Sequence, residues 1–210
     1  MDAIRTEQEQ IELIKKWWAE NWLPVTAGLV IAFTVIFGWR GWQEYRQSQA
    51  EAASKIYTDL IIATRRQQVD KARELAEQIL SEYKVTGYAV YASLLLAKFD
   101  VDDGKTDSAI KQLQWVMDNS TQNELKHLAR LRIARLLLTE NRAKEALQMI
   151  GSTEPGEFGP SYEELRGDIL LQQGNTKAAR TAYQLALSES KNTTGNNILQ
   201  MKIDSLGREN

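Results

Sequence analysis

From Asn21 to Trp39 no residue carries a charge, and the run Trp22-Leu-Pro-Val-Thr-Ala-Gly-Leu-Val-Ile-Ala-Phe-Thr-Val-Ile-Phe-Gly-Trp39 is apolar on every face that a helix would present. No other feature constrains the chain as strongly. A helix rises about 1.5 Å per residue and must cross about 30 Å of hydrocarbon, so about 20 residues are enough to span it. Trp22 and Trp39 stand at the two ends, with Trp17, Trp18 and Trp42 close by, which accounts for five of the six tryptophans. Indole rings favour the headgroup region, where the ring is sheltered and the N–H finds a polar partner, so these five are candidate membrane-interface residues. Pro24 suits the first turn of a span that starts at Trp22, because an N–H there has no partner to lose.

Two other readings fit less well. A core helix is rarely apolar all round and bordered by tryptophan pairs at once. A cleavable signal peptide has a shorter apolar region followed by small residues, whereas this run enters Trp39-Arg40-Gly41-Trp42. The run predicts a retained single-pass anchor, with the lipid bilayer as the chain's first partner. Sidedness is not written in the flanks: Arg5, Lys15 and Lys16 precede the run and Arg40, Arg46 and Lys55 follow it, so positive charge is balanced. A short N-terminal segment before a large C-terminal domain fits a signal-anchor with a cytosolic N-terminus.

Residues 7–20 predict a short amphipathic helix, with Ile11, Ile14 and Trp18 on one stripe and Leu13 and Trp17 beside it. Lying along the membrane face is one role for it, and docking to another membrane protein is a second. Beyond Trp42 only Pro155 and Pro160 remain, and Ala, Leu, Gln, Glu, Lys and Arg dominate, so the rest is expected to be all helical. Helix breaks are expected at Gln68 to Asp70, Val85 to Gly87, Asp102 to Gly104, Asn119 to Thr121, Glu140 to Arg142, Gly151 to Pro160, Gly174-Asn175 and Asn192 to Gly195. No breaker separates the anchor from the helix that follows, so the two read as one.

A turn followed by a small residue recurs at Gln67-Gln-Val-Asp-Lys-Ala72, Gly104-Lys-Thr-Asp-Ser-Ala109, Asn141-Arg-Ala-Lys-Glu-Ala146 and Gly174-Asn-Thr-Lys-Ala-Ala179. The alanines are spaced by 37, 37 and 33 residues. A period near 34 with two helices per unit is the tetratricopeptide signature, in which a small residue lets paired helices approach closely. The last unit fits best, with Gly167 and Leu170 on its first helix and Ala179, Tyr183 and Ala186 on its second. Ala97 and Ala134 take the place of Gly167 in the two units before it, and Leu60 takes it in the first. Another α-solenoid is the alternative. After the fourth unit, Ile198, Leu199, Met201, Ile203 and Leu206 give an apolar stripe to a last helix that would cap the array.

The predicted fold class is therefore all-α: one N-terminal transmembrane helix, then a tetratricopeptide-like helical-repeat solenoid. Its expected parts are a cytosolic amphipathic segment (1–21), the anchor (22–42), a juxtamembrane helix leading into the repeats (43–68), the repeats (69–192) and a capping helix (193–210).

Residues that do chemistry are scarce. Cysteine is absent, which excludes disulfides, iron–sulfur clusters and Cys-based zinc sites and is compatible with an oxidising compartment. His127 is the sole histidine and has basic neighbours. Asp100-Val-Asp-Asp-Gly104 lacks the later Glu of a calcium loop and doubles as a repeat turn. Glu163, Glu164 and Asp168 read as a solvated helix face. There is no phosphate-binding loop, and residues 43–210 carry 22 Lys+Arg against 23 Asp+Glu, so no basic field draws nucleic acid. No catalytic residue, metal, cofactor or small-molecule substrate is expected. In such repeats the first helix of each pair lines the concave face, where Tyr57, Tyr91, Lys98, Arg132, Arg135, Tyr162 and Asp168 are candidate groove contacts. Tyr and Arg bring large area and directed donors to interfaces.

The whole chain resembles the YfgM family of ancillary SecYEG translocon subunits. The residues that carry the resemblance are Thr6-Glu-Gln-Glu-Gln-Ile-Glu-Leu-Ile-Lys-Lys-Trp-Trp-Ala-Glu-Asn21, Gly38-Trp-Arg-Gly-Trp42, Leu165-Arg-Gly-Asp168 and Met201-Lys-Ile-Asp-Ser-Leu206. Trp22 departs from the Gly usual in the family after Glu-Asn. The resemblance implies a bacterial inner-membrane protein with a cytosolic N-terminus and a periplasmic repeat domain. It also implies association with the SecYEG translocon and with a PpiD-like periplasmic chaperone, in the handling of translocated proteins. The expected function is thus a non-enzymatic adaptor. The alternative is a self-associating scaffold for cell-envelope assembly.

Overall fold

A computed structural model describes residues 7–190 and 193–207. Residues 1–6 of the expected N-terminal segment, Asn192 of the expected last break and residues 208–210 of the expected cap lie outside the described residues. The described residues form nine α-helices and one short 3-10 turn, with no strand. The chain divides into two compact units, Met1–Gln49 and Ala50–Asn210.

The described part of the first unit, residues 7–49, belongs to helix α1 (Glu7–Arg65), which is unbroken for 59 residues. The separate helix expected over residues 7–20 is instead the start of α1, because nothing between Glu20 and Trp22 stops helix propagation. Pro24 is for the same reason an interior proline rather than a first-turn one. It withholds the N–H that the Glu20 carbonyl would accept. Polar side chains bond to carbonyls on either side: Asn21 Nδ2 donates to the Trp17 carbonyl at 2.8 Å, and the Thr26 hydroxyl donates to that of Trp22 at 2.8 Å. The apolar stretch is long enough to cross a membrane, and none of it is buried against protein. Phe33, Phe37 and Val30 lie 57–64% exposed, an arrangement stable in lipid and unfavourable in water.

The second unit contains the end of α1 (residues 50–65), α2 (Val69–Glu82), α3 (Gly87–Asp102), α4 (Thr106–Asn119), α5 (Asn123–Thr139), α6 (Ala143–Gly151), α7 (Gly159–Gln172), α8 (Thr176–Glu189) and α9 (Thr193–Ser205). Helices from α2 onward pack on their chain neighbours, and α5 also reaches α7. Ala72, Ala109, Ala146 and Ala179, the residues that set the period, are all fully buried, as are Leu60 and Ala134, while Ala97 is 3% exposed.

The turn inside each pair repeats as faithfully as the alanine. Gln67, Gly104, Asn141 and Gly174 have φ of 59°, 73°, 59° and 78°, each five residues before its alanine. The amide of the next residue then donates back to the first helix: Gln68 to the Ala63 carbonyl, Lys105 to Asp100, Arg142 to Leu137 and Asn175 to Leu170, at 2.7–3.0 Å. This is the Schellman closure, which satisfies carbonyls that a helix end leaves open. It places the first break at residues 66–68, so the break expected at Gln68 to Asp70 is met only at Gln68, and Val69 and Asp70 open α2. Between α6 and α7 the expected break covers residues 152–158 and ends in a 3-10 turn, Gly156–Phe158, while Pro160 enters the first turn of α7.

Three apolar clusters make up the core. Leu60, Ile79, Leu96 and Phe99 anchor the first, and Leu113, Ile133, Ile150, Tyr162 and Ile169 the central one, with Trp115 packed against both. The third joins Tyr183 and Ala186 of α8 to Leu199, Ile203 and Leu206, as a cap requires. Only part of the expected cap stripe is used: Ile198 and Met201 are 53% and 71% exposed, because the buried face of α9 follows residues 199, 203 and 206.

Candidate functional site

Helices α1, α3 and α5, the first members of the first three pairs, line a hollow of about 670 Å³. Tyr57 comes from α1, Tyr91, Leu94, Leu95, Ala97, Lys98 and Val101 from α3, and Leu113 of α4 lies beneath. Helix α5 adds Leu128, Arg132, Arg135, Leu136 and Thr139. The volume suits several side chains of a ligand, and the apolar lining gives it a hydrophobic floor.

Five of the seven residues expected at the groove, Tyr57, Tyr91, Lys98, Arg132 and Arg135, come together here. The Tyr57 ring lies 5.3 Å from that of Tyr88 and 6.2 Å from that of Tyr91. Burial, then the nearby Tyr91 and Tyr88 hydroxyls, push the Tyr57 phenol above its ordinary value, so it remains a neutral hydrogen-bonding group. Lys98 pairs with Asp102 one turn along α3, and both side chains are more than half exposed. Arg132 and Arg135 differ: they stand one turn apart on α5, exposed, without an ion pair or hydrogen bond to any described residue. No carboxylate lines the hollow.

The other two candidates lie elsewhere. Tyr162 is 1% exposed, its hydroxyl 2.8 Å from His127 Nδ1, and Phe158 stacks on the imidazole at 4.9 Å between centroids. Burial, then Arg130, hold the His127 imidazole below its ordinary value against the weaker pull of Glu124. Asp168 accepts from the Tyr183 hydroxyl at 2.8 Å and from Lys202 Nζ at 2.7 Å, and Lys202 also donates to Glu164 at 2.8 Å. Glu164 and Asp168 therefore bind the cap helix to α7 instead of forming a solvated face. Burial alone would lower the Lys202 ammonium, but the bonds to Asp168 and Glu164 raise it above its ordinary value.

A second network ties the first two pairs together. Asp100, 3% exposed, accepts from Arg73 at 2.6 Å and from the Ser108 hydroxyl at 2.7 Å. The fragment that looked like a poor calcium loop is thus a junction of α2, α3 and α4. In the first unit, Trp17, Trp18, Trp22, Trp39 and Trp42 are all about half exposed, and the Arg46 guanidinium lies 4.9 Å over the Trp42 ring.

The residues of the hollow not anticipated are Thr139 and the apolar Leu94, Leu95, Val101, Leu113, Leu128 and Leu136. A signal for the apolar ones was present in α3, where Ala-Val-Tyr-Ala-Ser-Leu-Leu-Leu-Ala is more apolar than one buried face needs.

The model of the tetratricopeptide repeat-like domain family matches residues 15–208. Among similar curated proteins, the ancillary SecYEG translocon subunit of Escherichia coli strain K12 is 29% identical, over 98% of this chain and 99% of its own length. Those of Aggregatibacter actinomycetemcomitans and Neisseria gonorrhoeae are 27% and 26% identical, covering 95% and 98% of this chain and 97% and 100% of theirs. No solved structure matches. The repeated left-handed turns, the buried alanines and the family match over nearly the full length agree: this chain belongs to the tetratricopeptide repeat-like domain family, alongside relatives named ancillary SecYEG translocon subunits.

Proposed function

We propose that the chain is a non-enzymatic, membrane-anchored adaptor of the SecYEG translocon. Residues 22–42 hold it in the bacterial inner membrane with residues 1–21 cytosolic, and Trp17, Trp18, Trp22, Trp39 and Trp42 sit at the interfaces. Residues 43–68 lead into repeats over 69–192, closed by the cap at 193–210, all on the periplasmic side. There the repeat groove, with Tyr57, Tyr91, Lys98, Arg132 and Arg135, binds a PpiD-like chaperone or emerging chains and assists the handling of translocated proteins.

The observation that carries this reading is the apolar hollow edged by two unpaired arginines, in a chain with one uncovered apolar helix and relatives named for the translocon. Purification of the full chain from gently solubilised membranes tests it. SecYEG together with a membrane-anchored periplasmic chaperone is the expected yield, and enrichment of neither overturns the proposal. Protease added to intact spheroplasts tests sidedness: digestion of residues 43–210 is expected, and their survival places the domain in the cytosol.

A further inference from the structure

The charge around the hollow has one sign. Lys98 is neutralised by Asp102, so the uncompensated charge comes from Arg132 and Arg135, and no lining residue is acidic. In a chain with 26 basic and 28 acidic residues, cations could readily be paired, as Arg73 and Arg142 are. Two planar guanidiniums one turn apart match carboxylates, which they grip through paired N–H donors. Beneath them, Leu94, Leu128 and Leu136 form a floor that only apolar side chains would desolvate without penalty. Tyr57 and Tyr91 supply ring surface and hydroxyls at the other side of the hollow.

From this complementarity we infer that the groove recognises a peptide segment in which apolar side chains are flanked by Asp or Glu, the apolar part seated on the floor and the carboxylates on Arg132 and Arg135. The inference rests on the groove reading above and adds the chemistry of the occupant. A peptide fits better than a small acid, because the lining is spread over three successive repeat helices and a chain can reach floor and arginines together.

The test uses the full chain in nanodiscs of zwitterionic lipid and three short fluorescent peptides: a Leu/Phe segment flanked by Asp and Glu, the same segment flanked by Lys, and an acidic peptide with Ser in place of the apolar residues. Anisotropy should show the first binding about tenfold or more tightly than either other, with affinity falling as salt is raised. The Arg132→Glu/Arg135→Glu double variant should lose the acidic peptide and take up the lysine-flanked one, while Lys111→Glu on α4 changes nothing. The milder Arg132→Gln/Arg135→Gln variant should weaken the acidic peptide without gaining the basic one. Equal binding of acidic and basic peptides, or binding of none, overturns the inference while leaving co-purification with the translocon intact. A dimer that the charge reversal dissolves overturns it in favour of a second copy of the chain. Gain of binding only when anionic lipid is added to the discs overturns it in favour of headgroups.

Discussion

Tyr183 fills the space that Gly167 leaves by having no side chain: a Cβ at Gly167 would fall 2.3 Å from Cε1 of the tyrosine. The ring thereby reaches Asp168 with its hydroxyl and lies fully within the α7–α8 contact. Gly167→Ala must displace that ring or separate the two helices. It should lose about 1–3 kcal/mol despite the better helix propensity of alanine. Urea denaturation of the full chain in detergent measures this. Gly87→Ala, with nothing within 4 Å of the new carbon, serves as the matched control and should change stability by less than about 1 kcal/mol.

Lys202 fastens α9 through two carboxylates, and Lys202→Met keeps its aliphatic stem while removing the charge. A loss of about 1–3 kcal/mol is expected, since Glu164 and Asp168 are left facing each other without a cation. The folded value of the Lys202 ammonium is raised above 10.5, so its contribution is fully present below that pH and disappears as pH climbs through the higher folded value. Hydrogen exchange confined to α9 should speed up in the variant at neutral pH, and wild type should approach the variant only in strong alkali.

Asp100 is a buried acceptor for two helices, which makes it more sensitive than the surface pairs around it. Asp100→Ala takes the acceptor from the Ser108 hydroxyl and leaves the Arg73 guanidinium with Asp103 alone, and should cost about 1–3 kcal/mol. Glu145→Ala, which removes a largely solvated partner of Arg142, should be close to silent in the same thermal melt.

The His127 imidazole is held below its ordinary value of 6.5, chiefly by burial. Above that pH it is neutral in both folded and unfolded chains and adds no pH dependence. Below it the unfolded chain binds the proton first, so folding stability falls until the pH passes the depressed folded value. Denaturation curves between about pH 5 and 8 should show a decline in wild type that His127→Gln lacks. A decline of equal size in both would assign it to other groups.

The periodic parts of this fold were legible because the same stereochemical need recurs four times. Ala72, Ala109, Ala146 and Ala179 are small since helices close on them, and Gly104 and Gly174 mark left-handed turns. Gln67 takes the same conformation without the usual residue for it, so the break expected at Gln68 to Asp70 falls two residues beyond the observed one. Phase was the harder question. Tyr91 and Tyr162 both lie on first helices, but α7 packs directly on α5, where Tyr162 meets His127 and is buried. The bond between Asp168 and Lys202 joins residues 34 apart and could not be seen before the chain was folded.

Photocrosslinking in living cells tests the central claim most directly. A benzophenone side chain placed at Tyr91, within the hollow, should yield a discrete adduct with a translocon-associated chaperone or a secretory chain, and Arg132→Glu/Arg135→Glu should abolish it. The same probe at Lys111, exposed on α4 and outside the hollow, should not form that adduct. Identical adducts from both positions, or none from Tyr91, would contradict a groove that acts by binding.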